Sequence, residues 1–221
     1  MRNRLRVPAR SALCLALCCV LPAFGQTAPA LPTHSEEPAA AIVDLAPRYL
    51  LKDPRGRVVT HESFRGRFQL VTFGFTSCPD VCPTTLLGFR NILEALGDQA
   101  ERLQPLFITV DPERDTAALL QEYTAAFHPA IVGLRGTPEL LQRAAESFRV
   151  RYEKVREPGA PADIYTMDHS TGMYLLDGDG RFVTKFSMTA PAREIAARIR
   201  GMMDADQSRP GTVRRGNAPL R

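Results

Sequence analysis

Two cysteines four residues apart, Cys78 and Cys82, sit in the run Thr76-Ser77-Cys78-Pro79-Asp80-Val81-Cys82-Pro83. The apolar β-rich stretch Gln69 to Phe75 precedes them, and a segment with helical apolar spacing follows. Such a pair offers either a soft sulfur donor set suited to Cu(I) or a dithiol able to exchange with disulfides. If the loop winds into the first turn of the helix, both sulfurs face one side. The N–H groups and dipole of that helix start then favour thiolate over thiol. A structural disulfide or a pair of small core residues fits a segment carrying Pro79 and Pro83 poorly.

The elements around the pair alternate. After the cysteine strand, 84–96 places Leu86, Leu87, Phe89, Ile92, Leu93 and Leu96 at helical spacing. The pattern continues with a strand over 106–110, a helix over 116–127, a strand over 131–134, and a helix over 138–148 with Pro138 at its first position. Strands over 173–176 and 181–186 flank Asp177-Gly178-Asp179-Gly180, whose glycines suit a hairpin turn, and a helix over 191–203 closes the domain. Alternation of this kind predicts an α/β sheet.

Residues 1–25 read as an export signal. Arg2, Arg4, Arg6 and Arg10 precede a short apolar stretch, and Ala23-Phe24-Gly25 offers small residues for cleavage. The stretch falls short of the ~20 residues of a spanning helix, with an uncleaved anchor as the alternative. The other three cysteines, Cys14, Cys18 and Cys19, leave with this segment. So do four of the 28 basic residues and none of the 24 acidic ones, which turns a formal charge of +4 into a neutral mature chain. No basic surface with interleaved aromatics is visible, which argues against nucleic acid as a partner. An Ala/Pro-rich linker spans 26–44, one domain spans 45–204, and a polar basic tail spans 205–221.

Three motifs in order, the cysteine run, Asp111-Pro112-Glu113-Arg114-Asp115, and Asp168-His169-Ser170 ahead of a strand ending in Asp177-Gly178-Asp179-Gly180, resemble the Sco/SenC family over roughly residues 45–203. The resemblance implies a thioredoxin-like fold: a central mixed sheet flanked by helices, here with an extra N-terminal hairpin. It implies a copper chaperone for the binuclear copper centre of cytochrome c oxidase subunit II or a related cuproprotein, with Cys78, Cys82 and His169 as ligands for Cu(I), Cu(II) or both. It further implies a copper donor protein, a thiol reductant, and residence in the bacterial periplasm, free or anchored to the inner membrane.

A lone histidine is more often structural than ligating. His169 is singled out because it stands at the mouth of a strand expected beside the cysteine strand and because the motif places the family's ligand there. His34, His61 and His128 lack such a context. Asp80 reads as a turn or capping carboxylate, Asp111 or Asp115 as the N-cap of the following helix, and Asp168 as a partner orienting His169. The Asp-Gly-Asp-Gly turn lacks the closing Glu of a calcium loop.

The competing reading is an exported thiol-disulfide oxidoreductase working through Cys78 and Cys82. The spacing is one residue longer than Cys-x-x-Cys, and no proline stands between Pro161 and Pro191, where oxidoreductases of this fold place their docking proline. A peroxidase is disfavoured because Phe75 stands three residues before Cys78, where that pattern needs Thr.

Overall fold

A computed structural model describes residues 45–208 except Ala162. The expected leader, the whole of the linker and most of the tail lie outside these residues. In chain order the elements are β1 (Leu50–Lys52), β2 (Val58–Thr60), β3 (Phe68–Gly74), α1 (Val81–Leu96), a 3-10 turn (Gly97–Arg102), β4 (Leu103–Thr109), α2 (Ala117–Phe127), β5 (Val132–Leu134), α3 (Pro138–Ser147), β6 (Tyr152–Val155), β7 (Thr166–His169), β8 (Met173–Leu176), β9 (Phe182–Phe186) and α4 (Ala192–Gln207).

The cysteine strand is the centre of the sheet. All seven residues of β3 are buried, as a strand covered on both faces requires. It pairs in parallel with β4 from Phe68↔Leu103 to Gly74↔Thr109, and antiparallel with β8 from Gln69↔Leu176 to Val71↔Tyr174. The five-stranded order β5-β4-β3-β8-β9 is the mixed sheet expected, flanked by helices in the thioredoxin-like manner. Helices α1 and α4 pack on each other, while α2 lies against β5. The core includes an aromatic cluster in which Phe148 meets both Phe73 and Tyr174 edge-on, with centroids 5.3 Å apart in each pair.

The sequence-legible hairpin turn and the proline-led helix start behave as read. Gly180, at φ +79, closes the β8–β9 turn, and the Asp177 carboxylate accepts the backbone N–H groups of Asp179 and Arg181 at 2.9 Å each. That carboxylate is spent on the turn itself. Thr137 caps α3 by accepting from the Leu140 N–H at 3.4 Å, with Pro138 at the first helical position. The extra N-terminal hairpin is β1–β2, held to the domain where Lys52 and Arg135 exchange backbone hydrogen bonds of 2.7 and 2.9 Å. The chain approaches β1 past Tyr49, whose hydroxyl donates to Gln69 at the start of β3 (2.6 Å), and past Arg48, whose N–H donates to Ser147 at the end of α3 (3.0 Å).

Two expectations need correction. The N-cap of α2 is Thr116, whose hydroxyl accepts from the Leu119 N–H at 3.2 Å, and neither Asp111 nor Asp115. Both aspartates are buried and committed to tertiary partners, so neither carboxylate is free to cap. The sequence reading also missed β6 and β7, which pair antiparallel from Tyr152↔His169 to Val155↔Thr166 as a two-stranded sheet of their own. Their residues alternate weakly and are mostly exposed or half-buried, so periodicity carried no signal.

Candidate metal centre

Strand β3 ends at Gly74, and the chain turns through Phe75 to Asp80 before α1 begins. The turn is tight, with the Cys78 N–H donating to the Phe75 carbonyl at 3.3 Å. Helix α1 begins at Val81, three residues earlier than the periodicity predicted, so Cys82 lies in its first turn and Pro83 follows at a position where a missing N–H costs nothing. Asp80 occupies the N-cap position but makes no side-chain capping bond.

The two thiols differ in setting. Cys82 is 2% exposed and belongs to the core, whereas Cys78 is half-buried at the surface; both are free. Burial would raise the Cys78 thiol, but the N–H groups of Asp80, Cys82 and Val81 together with the Cys82 side chain outweigh it and hold Cys78 below its ordinary value. Burial pushes Cys82 up to about 12, reinforced by the charges of Cys78 and Asp115 against the opposing N–H of Phe75. Cys78 is therefore the more acidic thiol of the pair and Cys82 the less acidic. Alkylation by iodoacetamide at about pH 8 is expected to label Cys78 rapidly and leave Cys82 largely unmodified in the folded protein. Peptide mapping checks this, and equal labelling of both would contradict the asymmetry.

The room for Cys82 is made by Gly74. A Cβ there would lie 2.7 Å from Cys82 Sγ and 2.7 Å from Phe107 Cε2, inside any real contact distance. Gly74→Ala is expected to destabilise the fold by about 1–3 kcal/mol through overpacking. A urea denaturation midpoint equal to wild type would show that the pocket yields instead.

His169 ends β7, and its imidazole arrives over the pair: Nε2 lies 3.9 Å from Cys82 Sγ. Its ring meets Phe75 edge-on at 6.0 Å, and Nδ1 lies 3.1 Å from the Ser170 carbonyl. With Nδ1 protonated toward that carbonyl, Nε2 presents its lone pair to the sulfur side. Asp168 does not orient the ring: neighbouring strand residues point to opposite faces, and Asp168 is exposed while His169 turns inward. His61 lies beside Tyr49 and His128 accepts from the Ala130 N–H, both in structural settings as read; His34 lies outside the described residues.

The structure thus brings all three sequence candidates to one end of the sheet. No group of three or more His, Cys, Asp or Glu among the described residues already stands close enough to hold an ion. The close contact is Cys82 to His169, with Cys78 near enough to Cys82 for each to shift the other's ionisation. Sequence reasoning gave no role to Gly74, Thr76, Tyr123 or Tyr165 around the site. Tyr123 places a buried, unpartnered hydroxyl where both thiols and Asp115 influence it, and burial above all raises its ionisation.

Comparison with known proteins gives one answer. A family model described as SCO1/SenC matches residues 38–204. A SCO2-like protein of Rickettsia prowazekii is 39% identical over 145 residues, 66% of this chain and 70% of the relative. The mitochondrial SCO2 homologue of Bos taurus is 41% identical over 164 residues, 72% of this chain and 60% of that protein. Among solved structures, Bradyrhizobium japonicum ScoI with copper bound aligns with a TM-score of 0.64 at 40% identity, covering 70% of this chain and 96% of its own. Yeast Sco1 with copper bound aligns at 0.65 and 33%, covering 78% and 94%. The match of the family model over most of the chain, and relatives at this identity, mean that the chain belongs to the SCO1/SenC family.

Proposed function

We propose that this protein is a copper metallochaperone that carries its cargo on Cys78, Cys82 and His169. The observation that carries the reading is the 3.9 Å from Cys82 Sγ to His169 Nε2. Bonds of about 2.3 Å to sulfur and 2.0 Å to nitrogen, the lengths seen for a first-row ion such as zinc, sum to about 4.3 Å, so one ion reaches both atoms at a bent angle. Cys78, whose side chain interacts with that of Cys82, supplies the third donor. Two sulfurs and one nitrogen form a soft set suited to Cu(I) that also accepts Cu(II), and two similar proteins have been solved with copper bound.

Delivery is to the binuclear copper centre of cytochrome c oxidase subunit II or a related cuproprotein. A copper donor protein and a thiol reductant act as partners. Residues 1–25 export the chain to the bacterial periplasm, with cleavage or with retention at the inner membrane. Among the described residues no helix is long and apolar enough to cross a membrane.

The thiol-disulfide oxidoreductase reading draws on the asymmetry of the pair. Cys78 thiolate could attack a client disulfide, forming a mixed disulfide and releasing one client thiolate. Resolution then requires Cys82 to lose its proton, attack Cys78 and release the second. Burial of Cys82 makes that deprotonation costly, and copper binding at the same sulfur bears the same cost, so the two readings are separated by experiment. The test compares reduced and oxidised protein. The reduced form is expected to bind one copper per monomer and the Cys78–Cys82 disulfide form none, because copper needs thiolates. Turnover of unrelated disulfides at a thioredoxin-like rate, with no copper in the reduced protein, would transfer the function to the oxidoreductase reading.

A further inference from the structure

The Asp111-Pro112-Glu113-Arg114-Asp115 loop between β4 and α2 has no part in ligating copper, yet it grips both halves of the site. Asp115, with no exposed surface, accepts hydrogen bonds from the Thr76 N–H (3.2 Å), the Thr76 hydroxyl (2.6 Å) and the Thr109 hydroxyl (2.5 Å). Thr76 stands two residues before Cys78. At the other end of the loop, the buried Asp111 carboxylate accepts the Tyr165 hydroxyl at 2.9 Å and pairs with Arg114. Arg114 donates to the Tyr165 carbonyl at 2.9 Å and lies 3.9 Å from the centroid of the Tyr165 ring. Lys154 of β6 lies 4.2 Å from the same ring and pairs with Glu113 at 2.7 Å.

We infer that this loop is a brace that holds the β6–β7 hairpin in register with the cysteine loop, with Arg114 and Asp111 as positioning residues for the His169 imidazole and Asp115 as one for the thiols. The inference rests on the copper reading for its consequence but not for its geometry. β6 and β7 form no ladder with the five-stranded sheet, so side-chain attachment must supply what backbone pairing does not. Tyr165 lies immediately before β7, which carries His169 at its far end, so a grip on Tyr165 sets the line of the strand. Arg114 also reaches the cysteine side, 5.8 Å from the Phe75 ring that His169 meets edge-on. One guanidinium thus touches both arms.

The alternative is that Arg114–Asp111 is an ordinary structural ion pair with no bearing on the imidazole. Electrostatics separates the two, since deleting a cation beside the site would by itself tighten the binding of a copper cation. Arg114→Ala is instead expected to weaken Cu(II) about tenfold or more, the usual effect of losing an outer partner, while Cu(I) on the thiol pair changes little. In a His169→Ala background the same substitution should add no further Cu(II) loss, because the group it positions is gone. Tyr165→Phe keeps the ring between its cations and loses only the hydroxyl, so it serves if Arg114→Ala fails to fold, with a smaller loss of the same pattern. Thr76→Val is expected to weaken both ions.

A readout on metal-free protein makes the outcomes distinct. Amide exchange over Thr166–His169 is expected to quicken about tenfold or more in Arg114→Ala, with β3 and β4 unchanged. Wild-type exchange there, or Cu(II) affinity equal to or tighter than wild type in Arg114→Ala, overturns the brace. Faster exchange in a protein whose wild type binds no copper would keep the brace and sink the copper reading.

Discussion

Cys82→Ser is expected to abolish tight copper binding by the reduced protein, and Cys78→Ser to do the same. A serine hydroxyl is a hard, protonated donor that cannot replace a thiolate on a soft ion. Structural zinc sites gain about 10–16 kcal/mol from four ligands, so losing one costs about 2.5–4 kcal/mol, which is roughly a hundred- to a thousandfold. The loss at Cys82 is the sharper test, because that side chain is buried beneath Gly74 and Phe107 and no solvent ligand can take its place. Titration with Cu(I) against a competing chelator measures it. Unchanged affinity in Cys82→Ser would remove the chaperone reading altogether.

His169→Ala is expected to separate the two oxidation states. Two thiolates hold Cu(I) in low coordination, whereas Cu(II) prefers a further nitrogen donor, so Cu(II) affinity should fall by roughly a hundredfold or more, the cost of one ligand, and Cu(I) far less. The imidazole also meets Phe75 edge-on, so part of any Cu(I) loss reflects a loosened cysteine loop. Circular dichroism of the metal-free variant controls for that contribution. Equal losses for both ions would mean that the ring does not discriminate between them.

The parts of this site that follow from local chemistry were legible in the sequence. A buried strand running into two cysteines, prolines and a helix announces a donor pair at the end of a sheet, and Pro138 announces a helix start. What was not legible depends on long-range placement. The two aspartates around α2 looked like caps because a short carboxylate before a helix usually is one, but burial against Thr76, Thr109 and Tyr165 drew them away and left the capping to Thr116. Asp168 looked like a partner for His169 because they are adjacent, although adjacency in a strand puts side chains on opposite faces. The hairpin that delivers His169 left no mark because its strands are short and half solvated, and their partner is each other. Gly74 was invisible for a different reason: its importance lies in the space it leaves for a sulfur eight residues on.

The route by which the chain enters the domain has a bearing on how the site meets its partners. Arg48 and Tyr49 are fastened to the end of α3 and to Gln69, at the start of β3, whereas the cysteines follow the other end of that strand. From Gln69 to Gly74 a strand advances about 16 Å, so the thiols and the imidazole lie at the opposite pole of the sheet from the point of attachment. Substitutions that loosen Arg48 or Tyr49 therefore act at the end of the sheet away from Cys78, Cys82 and His169, and a partner can approach the thiols without meeting the point where the chain enters the domain.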